Sequence, residues 1–401
     1  MKLSHITHNR SLSNAASIRE PGDCRLCELG VLGVGASLVK TASLGLFLGV
    51  FLFACFMPSF LAAKPEIQMR LQYPQQMKDV ILTGIDGDEI VFRPLGRDDG
   101  GRAYLKFDEL VRKRGTLNFL FPQAFYDAIE ALEAGHSLQA LPVIRESAKP
   151  FIEYLELSHL PGNMLPTVLS YLDALIAAGQ WREASEVATQ MPLQLAPPRV
   201  LERVGKLALA LSDAGQASAL DRVHQYILSA RQLSEAHLAV ALDLANAWRE
   251  RGDYMRAFNL YRKVQVADNL YQTRARLWVA YCSFYLGHDL VPSVFLENLP
   301  EMDVTTPGYS LRELIKARLS LRDEDLSAAM RSAAEGKTYA SSTDPWYPEL
   351  LYTVATVYAR IDMKQAAIAA YRELTISFPE SPWAATSRKD LEVLTTEVPE
   401  L

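Results

Sequence analysis

The hydrophobic pattern of the chain changes twice, and each change marks a boundary between predicted elements. A long uncharged run comes first, a stretch with alternating apolar and polar positions follows, and apolar residues then recur at helical spacing. Alternation with a period of two is typical of half-buried strands, whereas recurrence at i, i+3 and i+4 is typical of amphipathic helices. We therefore predict a mainly α protein that consists of an N-terminal tail (1–40), a membrane-targeting segment (41–63), a small β module (64–118) and a helical region (119–401).

Glycines recur at regular intervals in the helical region, each at the end of an apolar run. The intervals between them are 44, 36, 37 and 35 residues, and positions near Glu324 and Asp362 continue the period without glycine. Glycine readily adopts the left-handed conformation that ends a helix. A period of this length with a turn inside each unit is typical of stacked helical hairpins. We predict an α-solenoid of about seven hairpins, with turns at Gly135, Gly179, Gly215, Gly252 and Gly287.

One hairpin shows most clearly why particular residue types recur. Ala245 is small enough for two helices to approach closely, and Trp248 fills the space beside it. Tyr254 follows the turn, and Ala257 and Tyr261 continue the seam on the second helix at i, i+4 spacing. We expect Ala257 to be buried between the two helices.

This order of small, aromatic and glycine positions resembles the tetratricopeptide repeat (TPR) family. The last copy, within residues 366–385, is similar to the terminal repeats of bacterial envelope proteins of the Tol–Pal coordinator and outer-membrane-assembly lipoprotein type. The resemblance covers about 280 residues. It implies an α-solenoid that binds other proteins or peptides and is not an enzyme.

The β module contains three segments with strand-like patterns. Lys78–Gly84 and Glu89–Arg93 flank an Asp-Gly turn signal, and Arg102–Phe107 follows a second glycine-rich turn. We predict a small β meander whose strands are confined to about residues 75–110. A sheet of this size is marginally stable alone, so we expect the first helices to support it.

The apolar segment Ala42–Ala63 has 22 residues and no charge, which is long enough to span a bilayer. Basic residues outnumber acidic ones before it, so the positive-inside rule places residues 64–401 outside the cytoplasm. Small residues ahead of Lys64 favour a cleaved signal peptide, and an uncleaved transmembrane anchor is the alternative. A third alternative is a lipoprotein cleavage site at Cys55.

The charge balance argues against a nucleic-acid partner. The chain has 41 basic and 47 acidic residues and a net charge of −6, and it contains no basic stripe. Cys24 and Cys27, like His5 and His8, have the spacing of zinc ligands, but they lie in the tail ahead of the export segment. We interpret these pairs as incidental and predict no catalytic residues, no metal site and no cofactor.

First helices line the inner, concave face of such a solenoid, and partners bind there. Planar guanidinium groups suit carboxylate or backbone partners, and tyrosine supplies contact area at small entropic cost. Helical phase therefore predicts five partner-binding residues on this face, which are Asn246, Arg249, Arg274, Tyr281 and Arg318. The alternative is an ordinary solvated face with packing aromatics.

Together these patterns predict an exported or membrane-anchored TPR scaffold that mediates protein–protein interactions in a bacterial cell envelope. Two alternatives stay open, a secreted hydrolase or glycan-acting enzyme that uses the β module, and a purely architectural envelope subunit. A polar cluster across the β module would favour the enzyme.

Overall fold

The computed structural model describes residues 66–96, 101–155, 157, 160–266, 269–288 and 291–397. The predicted tail and the predicted membrane-targeting segment lie outside the described residues. Over the described part of the chain, no helix is both long and apolar enough to cross a membrane. The described elements are five strands and sixteen helices.

One short helix lies within the β region, and the other helices follow that region to the end of the described chain. They are α1 (Phe107–Arg112), α2 (Gln123–Glu133), α3 (Ser137–Ile152), α4 (Met164–Ala177), α5 (Trp181–Ala188), α6 (Pro198–Asp213), α7 (Ala217–Ser229), α8 (Glu235–Glu250), α9 (Tyr254–Val266), α10 (Gln272–Tyr285), α11 (Val291–Glu297), α12 (Tyr309–Arg322), α13 (Leu326–Tyr339), α14 (Tyr347–Arg360), α15 (Lys364–Ser377) and α16 (Pro382–Glu397). Helices α2 to α15 pair as seven hairpins, as the glycine spacing predicts, and α16 follows the last of them.

The strands form one antiparallel sheet in the order β4-β3-β2-β1-β5. They are β1 (Ile67–Tyr73), β2 (Gln76–Asp86), β3 (Glu89–Pro94), β4 (Ala103–Lys106) and β5 (Thr116–Phe119). The three predicted strands correspond to β2, β3 and β4. The prediction that strands are confined to residues 75–110 is wrong, because β1 precedes this range and β5 follows it.

The sheet packs on the first helices through one apolar face, which confirms the predicted support. The rings of Phe119 in β5 and Phe151 in α3 lie 4.6 Å apart between centroids. The free edge of β5 is covered by Asn163, whose Oδ1 accepts from the Phe119 N–H at 2.7 Å. Asn163 Nδ2 donates to the Phe119 carbonyl oxygen at 3.0 Å. A side-chain amide therefore replaces the next strand, and this edge is not available for aggregation.

The predicted hairpin turns are confirmed in position and in conformation. All five predicted glycines have positive φ, among them Gly252 at 77°. Glu324 and Asp362, the two predicted turns without glycine, both have φ of 61°. Non-glycine residues occupy this region less often. These two turns could therefore be predicted from the period of the repeat but not from residue type.

The seam between α8 and α9 is packed as the repeat pattern predicts. Ala245, Trp248, Ala257 and Tyr261 have no exposed surface. The two alanines let the helices approach closely, and the two aromatic side chains fill the remaining space.

Replacing Ala257 by Leu should therefore overpack the seam and lower the free energy of unfolding by roughly 1–3 kcal/mol. Urea unfolding followed by circular dichroism measures the change. Ala236→Leu is the matched control, because Ala236 is exposed at the start of α8. Equal stability of the two variants would show that the helices are not in close contact at Ala257.

The core also contains a histidine without a hydrogen-bond partner. His224 in α7 is 3% exposed, and its ring meets the ring of Trp248 edge-on at 6.5 Å. Neither ring nitrogen has a hydrogen-bond partner within the described structure. Burial lowers the pKa of His224 from 6.5 to about 4, and the nearby Arg256 acts in the same direction. The folded protein therefore holds this imidazole neutral where the unfolded chain would already bind a proton.

Stability should fall as the pH is lowered from about 6.5 to about 4, because the unfolded state then gains a proton that the folded state does not. This one group accounts for up to about 3 kcal/mol of the loss. His224→Leu should reduce the slope of unfolding free energy against pH over that interval. The exposed His136→Leu is the control and should keep the slope. An unchanged slope in His224→Leu would contradict the assignment.

Candidate partner-binding surface

The five predicted partner-binding residues all lie on first helices of successive hairpins. Asn246 and Arg249 are on α8, Arg274 and Tyr281 are on α10, and Arg318 is on α12. Arg274 is exposed and Asn246 is partly exposed. Arg249 and Tyr281 are only 9% and 7% exposed, however, and the Arg318 side chain is 19% exposed. The side chains of these three residues are therefore largely buried, and the assignment of all five residues to partner binding stays a prediction.

Arg249 is buried because it holds two hairpins together. Its Nε donates to the hydroxyl of Tyr261 at 3.3 Å, and that hydroxyl donates to Asn246 Oδ1 at 2.7 Å. The guanidinium also lies 4.0 Å from the centroid of the Trp278 ring in the next hairpin. Arg249 thus connects α8, α9 and α10 through hydrogen bonds and a cation–π contact.

Tyr281 and Arg318 are buried around a carboxylate that sequence reasoning missed. Glu349, in the first turn of α14, is 1% exposed. The Tyr281 hydroxyl donates to its Oε2 at 2.6 Å, and the Tyr285 hydroxyl donates to its Oε1. The Nε of Arg318 lies 3.6 Å from Oε1. We call Tyr281, Tyr285, Arg318 and Glu349 the Glu349 cluster.

The electrostatics of the cluster are dominated by burial. Burial raises the pKa of the Glu349 carboxyl above its ordinary value, and Arg318 and the two tyrosine hydroxyls oppose the shift. Burial beside this carboxylate also raises the pKa of Tyr281 and Tyr285, so both remain hydroxyl donors at neutral pH. The position of Glu349 in a first helical turn gives the carboxylate a further favourable interaction with the helix dipole.

The cluster also shows that the row of first helices is curved. Tyr281 and Tyr285 belong to α10, and Glu349 belongs to α14, with α12 between them in the row. Side chains from two first helices that are not neighbours can touch only if the row bends toward their side. The Glu349 cluster therefore lies on the inner face of the bend.

A strip of aromatic side chains lies next to the cluster, and it includes Tyr254 at the start of α9. The rings of Tyr254 and Tyr285 are stacked at 4.7 Å, and the rings of Tyr352 and Trp383 lie 5.0 Å apart. The Arg318 guanidinium lies 5.9 Å from the Tyr285 centroid and 5.3 Å from the Trp383 centroid. It also lies 5.5 Å from the ring of Phe284. All of these rings are partly exposed, and we call Tyr254, Phe284, Tyr285, Tyr352 and Trp383 the aromatic strip.

The β module, which the enzyme alternative requires, borders a cavity of about 550 Å³. The lining is mainly apolar and includes the carboxylates of Glu66 and Glu146. Glu66 forms an ion pair with Arg93, and the Ser147 hydroxyl donates to the Val143 carbonyl oxygen at 3.0 Å. The Ser147 hydroxyl is therefore bonded to a backbone carbonyl oxygen in the described structure.

Metal-binding chemistry finds no support in the described part of the chain. Among these residues, no group of three or more histidine, cysteine, aspartate or glutamate side chains is arranged to hold a metal ion. Burial raises the pKa of the Cys282 thiol to about 12, so this cysteine behaves as a small apolar residue. The pairs Cys24–Cys27 and His5–His8 lie outside the described residues.

Comparison with known proteins gives fold neighbours only. No family model and no curated protein matches the sequence. One similar solved structure is the APC/C hetero-tetramer Cut9–Hcn1, with a TM-score of 0.38, 13% identity, and coverage of 68% of this chain and 49% of that chain. Another is the C-terminal part of a TPR repeat-containing protein from Cytophaga hutchinsonii, with a TM-score of 0.36, 13% identity, and coverage of 66% and 98%.

The chain spans about half the length of the matched chain of the Cut9–Hcn1 structure. TM-scores and identities this low carry no argument about fold or function. The class of protein follows from the observed turns, seams and row of first helices, which define a TPR-like α-solenoid preceded by a small antiparallel sheet.

The Glu349 cluster can be tested by removing its carboxylate. Glu349→Ala leaves Arg318 buried without a counter-charge and leaves two hydroxyls without their acceptor. Loss of one partner of a buried ion pair should lower the free energy of unfolding by about 3–5 kcal/mol. Glu349→Gln should cost less, because its amide oxygen still accepts one hydroxyl. The control is Glu380→Ala at an exposed position, and a cost for Glu349→Ala no larger than for the control would contradict the assignment.

Proposed function

We propose that this protein is an exported or membrane-anchored scaffold of a bacterial cell envelope, and that it holds other proteins or peptides against the aromatic strip. The observation that supports the proposal is the strip itself, a row of partly exposed aromatic rings next to the Glu349 cluster. Aromatic side chains supply large contact area at small cost in conformational entropy.

The contacts beneath the strip support this role, because they fix the rings before a partner arrives. Tyr285 is held by Glu349 and stacked on Tyr254. Tyr352 donates its hydroxyl to Asp390 Oδ2 at 3.1 Å while its ring contacts Trp383. Side chains that are ordered in the free protein lose less entropy on binding. Of the predicted residues, Asn246 on α8 and Arg274 on α10 retain accessible surface.

The envelope location is supported by the sequence of the N-terminal region. The uncharged segment 42–63 with basic residues before it favours export of everything that follows. Both readings of this segment, a cleaved signal peptide and a retained anchor, place the solenoid outside the cytoplasm. A net charge of −6 suits protein partners better than nucleic acid.

The proposal is tested by photocrosslinking in bacteria that express the full chain. A photoreactive phenylalanine analogue at Trp383 should give crosslinked proteins in the envelope fraction, whereas the analogue at Arg331 should not. Arg331 is an exposed residue on α13, a second helix of a hairpin. With the analogue kept at Trp383, combining Arg274→Ala with Tyr254→Ala should reduce capture at least about tenfold, because buried aromatic contacts dominate interface energies.

Circular dichroism of the double variant checks that helical content is retained. The same crosslinks from both positions, or full capture by a folded double variant, would contradict partner binding on the strip. A chain recovered entirely from the cytosol would contradict export.

A further inference from the structure

Four of the five rings of the aromatic strip form two pairs, and Arg318 contacts one ring of each pair. The first pair is Tyr254 and Tyr285, with 15° between the ring planes, and the second is Tyr352 and Trp383, with 33°. Because Arg318 lies 5.9 Å from Tyr285 and 5.3 Å from Trp383, the two pairs are no more than about 11 Å apart.

One turn of a polyproline II helix fits within this upper limit. Such a helix rises about 3.1 Å per residue with three residues per turn, so equivalent side chains repeat every ~9 Å. Prolines three residues apart would therefore reach both ring pairs. Aromatic-lined grooves recognise proline-rich segments in this way, because the segment is preformed and loses little entropy on binding.

The polar groups of the strip suit the same ligand. The Tyr285 and Tyr352 hydroxyls are already used by Glu349 and Asp390. The indole N–H of Trp383 has no acceptor among the contacts of the described residues. A polyproline II segment makes no internal hydrogen bonds, so its carbonyl oxygens are free to accept from this indole.

The charges of the strip argue against an acidic peptide. Arg318, the cation at the centre, is paired with the buried Glu349 carboxylate at 3.6 Å. The pair leaves little net positive charge for a carboxylate to bind, whereas the exposed parts of the rings remain available to apolar pyrrolidine rings.

We propose that the partner segment recognised by the aromatic strip is proline-rich and binds as an extended polyproline II helix across the two ring pairs. The inference rests on the proposed function, and it adds the chemical class of the partner segment.

The test uses a fluorescently labelled decaproline peptide and the purified full chain in detergent. Fluorescence anisotropy should show saturable binding to the wild-type chain. A matched peptide of alternating glycine and serine should bind at least tenfold more weakly. Trp383→Ala should abolish binding, and Trp383→Phe, which keeps a ring but lacks the N–H, should weaken it by a smaller factor. Trp181→Phe is the control at another partly exposed tryptophan and should bind as the wild type does.

The inference is overturned if the wild-type chain does not bind decaproline, if the glycine–serine peptide binds equally well, or if Trp383→Ala binds unchanged. Crosslinking at Trp383 separates this failure from failure of the proposed function. Partners captured there without decaproline binding would reject the polyproline ligand and keep the scaffold. Decaproline binding with no captured partner in the envelope would confirm the ligand chemistry and reject the scaffold.

Discussion

A buried carboxylate determines how the C-terminal hairpins sit against one another. Glu349 is 1% exposed, and an isolated charge in such a position would be very unfavourable. It is tolerated because Arg318 and the hydroxyls of Tyr281 and Tyr285 converge on it from two other first helices. These groups satisfy the carboxylate in one arrangement only, so the cluster specifies the curvature of the row more than it adds stability.

Two kinds of side-chain contact therefore stabilise this solenoid, one within hairpins and one between them. Alanine and aromatic residues such as Ala245, Ala257 and Tyr261 pack the helices inside a hairpin, and they recur with the repeat. Arg249 and the Glu349 cluster connect one hairpin to another. The contacts within hairpins build the stack, and these contacts between hairpins bend it and position the aromatic rings.

The parts of the fold that depend on local chemistry could be predicted from the sequence. Turns follow from glycine, and even Glu324 and Asp362 follow from the period, because neighbouring repeats impose the same geometry. Strand β1 was missed although Ile67, Met69 and Leu71 alternate with polar residues, since the run directly follows the apolar segment. Strand β5 has only four residues, and it pairs with β1 from a distance in sequence that no local pattern encodes.

The candidate site could likewise be predicted only in part from the sequence. Helical phase placed Arg249, Arg274, Tyr281 and Arg318 on first helices correctly, because phase is local. Their burial could not be predicted, because Tyr281 and its acceptor Glu349 are separated by 68 residues. Trp383 and Tyr352 were missed for the same reason. Both residues are aromatic and lie in predicted helices. Their role at the site follows only from the packing of α14 and α16 beside α12.

The central claim, that Glu349 holds the bend of the first-helix row, is tested most directly by a distance measurement across it. Spin labels on cysteines introduced at Arg274 in α10 and Lys389 in α16, both exposed, report this distance by double electron–electron resonance. Cys24, Cys27 and Cys55 are replaced by serine, and Cys282 is buried. We predict one narrow distance distribution in the otherwise unchanged chain, and a longer, broader one in Glu349→Ala with helical content retained. The same narrow distribution in a folded Glu349→Ala variant would contradict the account.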